Sequence, residues 1–243
     1  MEFIEFKKEL EYIFEKNLLS DLLTDERAQK LYELTNIMLE VNKSMNLTTI
    51  TDESAIILKH YADSLTASKH IPKNSRIIDI GCGAGFPCLP LAIFRDDLKI
   101  TALDATAKRI RYVDETAKKL GLDNLTAISA RAEELAKDGA YRESYDVATA
   151  RAVASLPVLS ELCLPFVKNG GKFIAMKAAQ GEIEVNDAKN AIKICGGLFV
   201  GTDKFSLVSD NDESTRIIVF VDKISNTPAK YPRHYSQISK KPL

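Results

Sequence analysis

The stretch "RIIDIGCGAGFPCLPLA", Arg76 to Ala92, constrains this chain more than any other. An apolar run ends in an acid, and three glycines follow at alternate positions. A Phe-Pro step then opens a second apolar segment. Strand, tight glycine turn and helix in that order bring backbone N–H groups and a helix N-terminus against a ligand. The dinucleotide fingerprint is G-x-G-x-x-G. Here Gly81, Gly83 and Gly85 put the third glycine one place early, and Phe86-Pro87 is bulky where a pyrophosphate needs an open first turn. The turn therefore fits either a nicotinamide dinucleotide, with a degraded fingerprint, or S-adenosyl-L-methionine, which has no phosphate.

The rest of the chain supplies the sheet for such a turn. From residue 75, short apolar strands alternate with helical segments: "KITALDA", "LTAISA", "YDVATARAV" and "GGKFIAMKA" are the strands. That alternation predicts a parallel sheet with right-handed crossovers. The order changes at the end. "LFVGTDKFSLV" and "TRIIVFVDKI" are separated only by "SDNDES", which predicts an antiparallel hairpin. An antiparallel strand closing an otherwise parallel sheet marks class I methyltransferases rather than nicotinamide domains, by fold analogy. Asp104 ends the second strand, where an acid takes ribose hydroxyls of either cofactor.

Before residue 70 the pattern is helical. Phe3, Phe6, Leu10, Ile13 and Phe14 recur at spacings of three and four, as do Leu31, Leu34, Ile37, Met38 and Val41. "TDESAIILKHYADSLTAS" reads as a third helix capped by Thr51 or Asp52. The expected organisation is a helical extension over 1–70, a cofactor-binding domain over 71–225 and a basic tail over 226–243. The tail has no acid after Asp222, and Lys230, Arg233, Lys240 and Lys241 lie in it. It reads either as a phosphate-contacting arm or as a solvated terminus.

Cysteines stand at 82, 88, 163 and 195 and histidines at 60, 70 and 234. No pair has zinc-ligand spacing, so no metal is expected, and the thiols read as buried and free. No apolar run is long enough for a membrane span and the N-terminus has no secretory pattern, so a cytoplasmic protein is expected.

Several segments together resemble one family. They are "VNKSMNLTTI" (41–50), "KHYADSL" (59–65), "DIGCGAGFPCLPLA" (79–92), "LDATAKRIRYV" (103–113), "ARAEEL" (130–135), "DVATARAVASL" (146–156), "GGKFIAMKA" (170–178) and the tail "YPRHYSQISKKPL". The chain resembles the RsmG (GidB) family of bacterial 16S rRNA guanine-N7 methyltransferases over nearly its whole length. The resemblance implies a Rossmann-like class I methyltransferase: a mostly parallel seven-stranded sheet ending in an antiparallel hairpin, with an N-terminal helical extension. It implies S-adenosyl-L-methionine as cofactor and 16S rRNA, or a small-subunit assembly intermediate, as partner, with a monomeric enzyme. Carried over by position, Gly81, Gly83 and Phe86 line the cofactor site, with Ala132 and Glu133 beside the adenine. Asp79 and Asp104 fit the methionine amine and the ribose. Arg151 stands at the junction of cofactor and target base and is the expected catalytic residue. The family commonly has glycine where Cys88 stands, a difference expected to affect packing.

Guanine N7 carries a lone pair and no proton, so positioning suffices and no general base is needed. The residues agree: "TARAVA" replaces the Asn/Asp-Pro-Pro-Tyr/Phe signature of exocyclic-amine enzymes, and Cys163 lies within an apolar helix. RNA contacts are expected at Asn46, Lys177, Arg233, Lys240 and Lys241, with Lys108, Arg109 and Arg111 as further basic surface. Asn42 and Asn46 read equally as caps. His60 and Asp63, on one helix face, either order the substrate pocket or tie helix to sheet. A nicotinamide-dependent oxidoreductase and a non-catalytic ribosome assembly factor are the alternative readings.

Overall fold

The computed structural model describes residues 1–243. Two long helices open the chain, α1 (Phe3–Lys16) and α2 (Asp25–Met45). The α2 N-terminus is capped by Thr24, whose side chain accepts from Arg27 N. Next, α3 (Glu53–Ile56), capped by Asp52, runs through a π-helical stretch (Ile57–Ala62) into α4 (Asp63–Thr66).

Then the alternation begins: β1 (Arg76–Ile80), α5 (Cys88–Phe94), β2 (Lys99–Asp104), α6 (Ala107–Lys119), β3 (Leu125–Ser129), α7 (Ala132–Leu135), β4 (Tyr145–Arg151), α8 (Leu156–Cys163), β5 (Val167–Ala178), α9 (Gly181–Ile194), β6 (Gly197–Val208), β7 (Glu213–Lys223) and α10 (Tyr235–Lys240). The seven strands form one sheet in the order β3-β2-β1-β4-β5-β7-β6. Five are parallel neighbours, and β7 inserts antiparallel between β5 and β6. This is the expected mostly parallel Rossmann-like sheet with its closing hairpin.

Burial follows position. In β1, Ile77 to Ile80 are all buried, because helices cover both faces of a central strand. In edge strand β6, exposed and half-buried residues alternate. Successive β1 residues serve opposite cores. Ile77 joins Ile100, Val147, Ile174 and Ile218 beneath α5 and α6. Ile78 and Ile80 join Leu103, Ala148, Phe173 and Val219 beneath α8 and α9. Phe6, Leu10, Phe14, Leu31, Leu34 and Tyr61 belong to the first core, so the N-terminal helices bury their apolar stripes against the sheet's own layer. No helix is long and apolar enough to cross a membrane.

Strand order reverses between β1 and β4, and their carboxyl ends open the crevice where doubly wound sheets bind ligands. Sequence and structure differ at two strand ends here. The apolar run suggests that β4 continues to Val153, but it stops at Arg151, since Ala152 turns to φ +56°. The β5 strand starts at Val167, ahead of the expected Gly170, because Val167 pairs with Tyr145 across a register shift.

Candidate functional site

All three glycines of the turn are left-handed, with φ +72° at Gly81, +56° at Gly83 and +89° at Gly85. L-residues avoid this region, which explains the density of glycine. Space is short as well. A Cβ on Gly81 would lie 2.6 Å from Val153 Cγ2, and one on Gly85 would lie 2.3 Å from Leu89 Cδ1. Val153 belongs to a strap, residues 152–155, that leads from β4 to α8 and lies against the turn.

Asp104 staples the turn to the loop after β2. Its Oδ2 accepts from Gly83 N at 3.0 Å and its Oδ1 from Thr106 N at 2.7 Å. A carboxylate accepts about four bonds, so each oxygen keeps a lone pair for a hydroxyl donor. Asp79 is fully buried. Its Oδ1 accepts from Thr149 Oγ1 at 3.0 Å, while Oδ2 has no protein partner. Burial pushes its carboxyl up to about 6. Glu133 is also buried, and its Oε1 has no protein partner. Buried acceptors are rarely left unpaired. Two such acids, a hydroxyl-ready Asp104 and a Cβ-free turn suit a ligand rich in amine and hydroxyl donors, as a nucleoside carrying an amino-acid group is.

Beside the turn, Arg151 Nη1 donates to Lys59 O at 2.8 Å and to Asp63 Oδ2 at 2.9 Å. Asp63 also accepts from Arg216 Nε at 3.2 Å, on Oδ1, so one buried carboxylate bridges two guanidiniums. His60 stacks on Phe86, with ring centroids 4.3 Å apart and planes at 9°. The Arg151 guanidinium lies 5.4 Å from the same Phe86 ring. Burial, then the charge of Arg151, drives the His60 imidazole down to about 3. A neutral ring fits its bonds: Nδ1 faces Arg151 Nη2 at 3.4 Å and Nε2 meets Thr48 Oγ1 at 3.1 Å. Lys59, His60, Asp63, Arg151 and Arg216 line a cavity of about 410 Å³ that also takes in Ile50, Met176, Lys177, Gln180 and Glu184.

His60, Asp63 and Glu184 are each engaged by neighbouring groups. All four cysteines are buried and free, and burial raises the thiols of Cys88 and Cys163 well above their ordinary range. Cys88 starts α5 within the first core.

Other expected residues lie variously. Lys177 enters the cavity, but its Nζ donates to Ala154 O at 2.8 Å and pairs with Glu184 at 2.9 Å, and Glu184 in turn accepts from Leu156 N. Lys177 thus holds the strap. Arg233 is tied to fully buried Glu161 through its backbone N, Nε and Nη2, and is not presented to a phosphate. Asn46 is the left-handed C-cap of α2, φ +51°, and is exposed, whereas Asn42 clasps Thr48 through both its amide atoms. Lys108, Arg109, Arg111, Lys240 and Lys241 are exposed. Ala132 is half-buried at the start of α7. Arg216, Lys59 and Gln180 are site residues that sequence reasoning missed. Arg216 follows from strand register alone: it pairs with Ala178 across β5 and β7.

A family model described as rRNA small subunit methyltransferase G matches residues 27–209. Ribosomal RNA small subunit methyltransferase G of Staphylococcus saprophyticus is 44% identical over 223 residues, covering 91% of this chain and 92% of that protein. The protein of the same name from Staphylococcus aureus is 46% identical over the same shares. Among solved structures, YcgJ from Bacillus subtilis aligns with TM-score 0.53 at 12% identity, over 69% of this chain and all of that one. TYW2 from M. jannaschii, solved in complex with AdoMet, aligns with TM-score 0.52 at 16% identity, over 67% and 77%. Identities this low establish the methyltransferase fold alone. The family model and the two staphylococcal relatives go further: the chain belongs to the rRNA small subunit methyltransferase G (GidB) family.

Proposed function

We propose that the chain binds S-adenosyl-L-methionine and methylates N7 of a guanine in 16S rRNA, acting as a cytoplasmic monomer without a metal. The cofactor supplies an electrophilic methyl group. Asp79 and Glu133, with their unpaired buried oxygens, would take its amine and adenine ends, and Asp104 its ribose hydroxyls. Gly81 and Gly83 give the backbone its close approach.

The observation that carries the reading is the assembly around Arg151. A sheet residue, a helix carboxylate, a neutral imidazole and Phe86 of the glycine turn meet at the mouth of the crevice. Arg151 is placed to orient the base, with its guanidinium fixed in advance by Lys59 O and Asp63. Every titratable group there is engaged, as suits a nucleophile that carries no proton.

The test supplies the purified chain with S-adenosyl-L-methionine and small-subunit RNA, naked or in a particle, and maps the product by strand cleavage at N7-methylguanosine. One guanine modified at N7 is expected. A methyl on another atom, or tight binding of NADH in place of S-adenosyl-L-methionine, would overturn the reading.

A further inference from the structure

After β7 the chain folds back onto the protein and is fastened there by charge. Lys223, 1% exposed, donates to Leu164 O at 2.6 Å and to Thr227 Oγ1 at 2.7 Å. Arg142 reaches Thr227 O at 2.7 Å and Tyr231 O at 3.0 Å. Glu161 holds Arg233 as described. A carboxylate with no exposed surface is tolerated only where its partner is fixed, so the segment has a defined seat.

That seat adjoins the cofactor crevice. Ile238 of α10 is fully buried and forms a small apolar cluster with Val158 and Leu162 of α8. The cluster packs against Ala132, which opens α7 ahead of Glu133, and against Ala154 of the strap. The neighbouring Val153 is the side chain that meets Gly81. The cluster that Ile238 completes thus supports both walls of the crevice, the Ala132–Glu133 wall and the strap.

We propose that Ile238 is a positioning residue for the cofactor, acting through the cluster it forms with Val158 and Leu162 on Ala132 and Ala154, and that the C-terminal segment is a brace of the cofactor site. The inference rests on the cofactor reading above.

The test uses the full chain and S-adenosylhomocysteine, titrated by calorimetry, with steady-state kinetics in both substrates. For Ile238→Ala the Kd rises about tenfold, the worth of some 1.4 kcal/mol. The cofactor KM rises alongside, while the RNA KM and the kcat at saturating cofactor stay within about twofold of the starting protein. Ile238→Val, which removes one methylene and retains the fold, raises the Kd about twofold. Lys240→Ala with Lys241→Ala leaves the Kd unchanged. Leu10→Ala, an apolar truncation far away in α1, lowers the Tm and leaves the Kd unchanged. An unaltered Kd in both Ile238 variants overturns the proposal, as does an equal rise in Leu10→Ala. Failure of the unsubstituted chain to bind S-adenosylhomocysteine removes the cofactor reading itself.

Discussion

Replacing Asp63 by Asn tests the charge arrangement at the site. The carboxylate accepts from Arg151 at 2.9 Å and from Arg216 at 3.2 Å, and the Asp63 side chain is only 9% exposed. Asn keeps the shape and one acceptor oxygen, but turns an NH₂ group toward the other guanidinium. A hydrogen bond to a charged group is worth about 1.5–3 kcal/mol, and one is lost outright while the other weakens. The arginine side chains are 13% and 20% exposed, so water screens part of the loss and ~2 kcal/mol is the reasonable figure. For a chain of this size that lowers Tm by about 4–8 °C. The effect on catalysis is larger. Arg151 keeps Lys59 O and the Phe86 ring but loses the anion that fixes its direction. A misplacement of about 1 Å costs roughly 100-fold in rate. Single-turnover methyl transfer, measured below the new Tm, should fall by that order. Because Asp63 acts through Arg151, the double variant Asp63→Asn/Arg151→Ala should be no slower than Arg151→Ala alone. A fall in Tm with the transfer rate held within twofold would show that Asp63 only holds the helix to the sheet.

Four further outcomes follow from the structure. Gly81→Ala puts a Cβ at φ +72° and 2.6 Å from Val153; it should weaken S-adenosylhomocysteine binding by at least tenfold, read by calorimetry. Asp79, raised to about 6 from an ordinary 3.8, favours the folded state below pH 3.8 and loses that contribution as pH rises through 6. Asp79→Asn should therefore gain stability relative to the parent between pH 4 and pH 7 in urea titrations, by up to ~3 kcal/mol, while losing cofactor affinity. The parent's methyl-transfer rate should be flat above about pH 7, since His60 is already neutral there, and decline as Asp79 protonates below 6. Arg233→Ala leaves Glu161 buried without its cation and should cost about 3–5 kcal/mol by denaturant titration; Arg233→Ala/Glu161→Leu should recover most of it.

The sheet was legible because parallel strands covered on both faces are apolar throughout and are separated by helices with a 3.6 period. The turn was legible because left-handed backbone demands glycine. What escaped depended on contacts distant in sequence. Arg216 reaches Asp63 from 153 positions away, and only the antiparallel register of β7 brings it there. Arg233 reads as a phosphate ligand in a basic tail, but Glu161, 72 positions earlier, lies within an apolar helix and takes it. Lys177 at the end of β5 faces the crevice, as its place on a strand end implies. Its neighbour Glu184, near the start of α9, converts it into a latch for the strap.

These contacts also bear on why helices precede the sheet at all. Arg151 ends a central strand, and on a bare sheet its guanidinium would point into the crevice with no fixed acceptor. Lys59 O, His60 and Asp63 supply the acceptors, and all three come from the segment that passes through the π-helical turn. A π-helical turn shifts the helix face by an extra residue relative to regular α-helix. Here it places a backbone carbonyl, an imidazole and a carboxylate around one guanidinium. The same segment buries Ile56, Ile57, Leu58 and Tyr61 in the core beneath α5. Packing and charge placement are thus set by one helix. Deleting residues 1–70 would remove three of Arg151's partners and a layer of the sheet's core together, so the N-terminal helices and the sheet share one core and one set of contacts around Arg151.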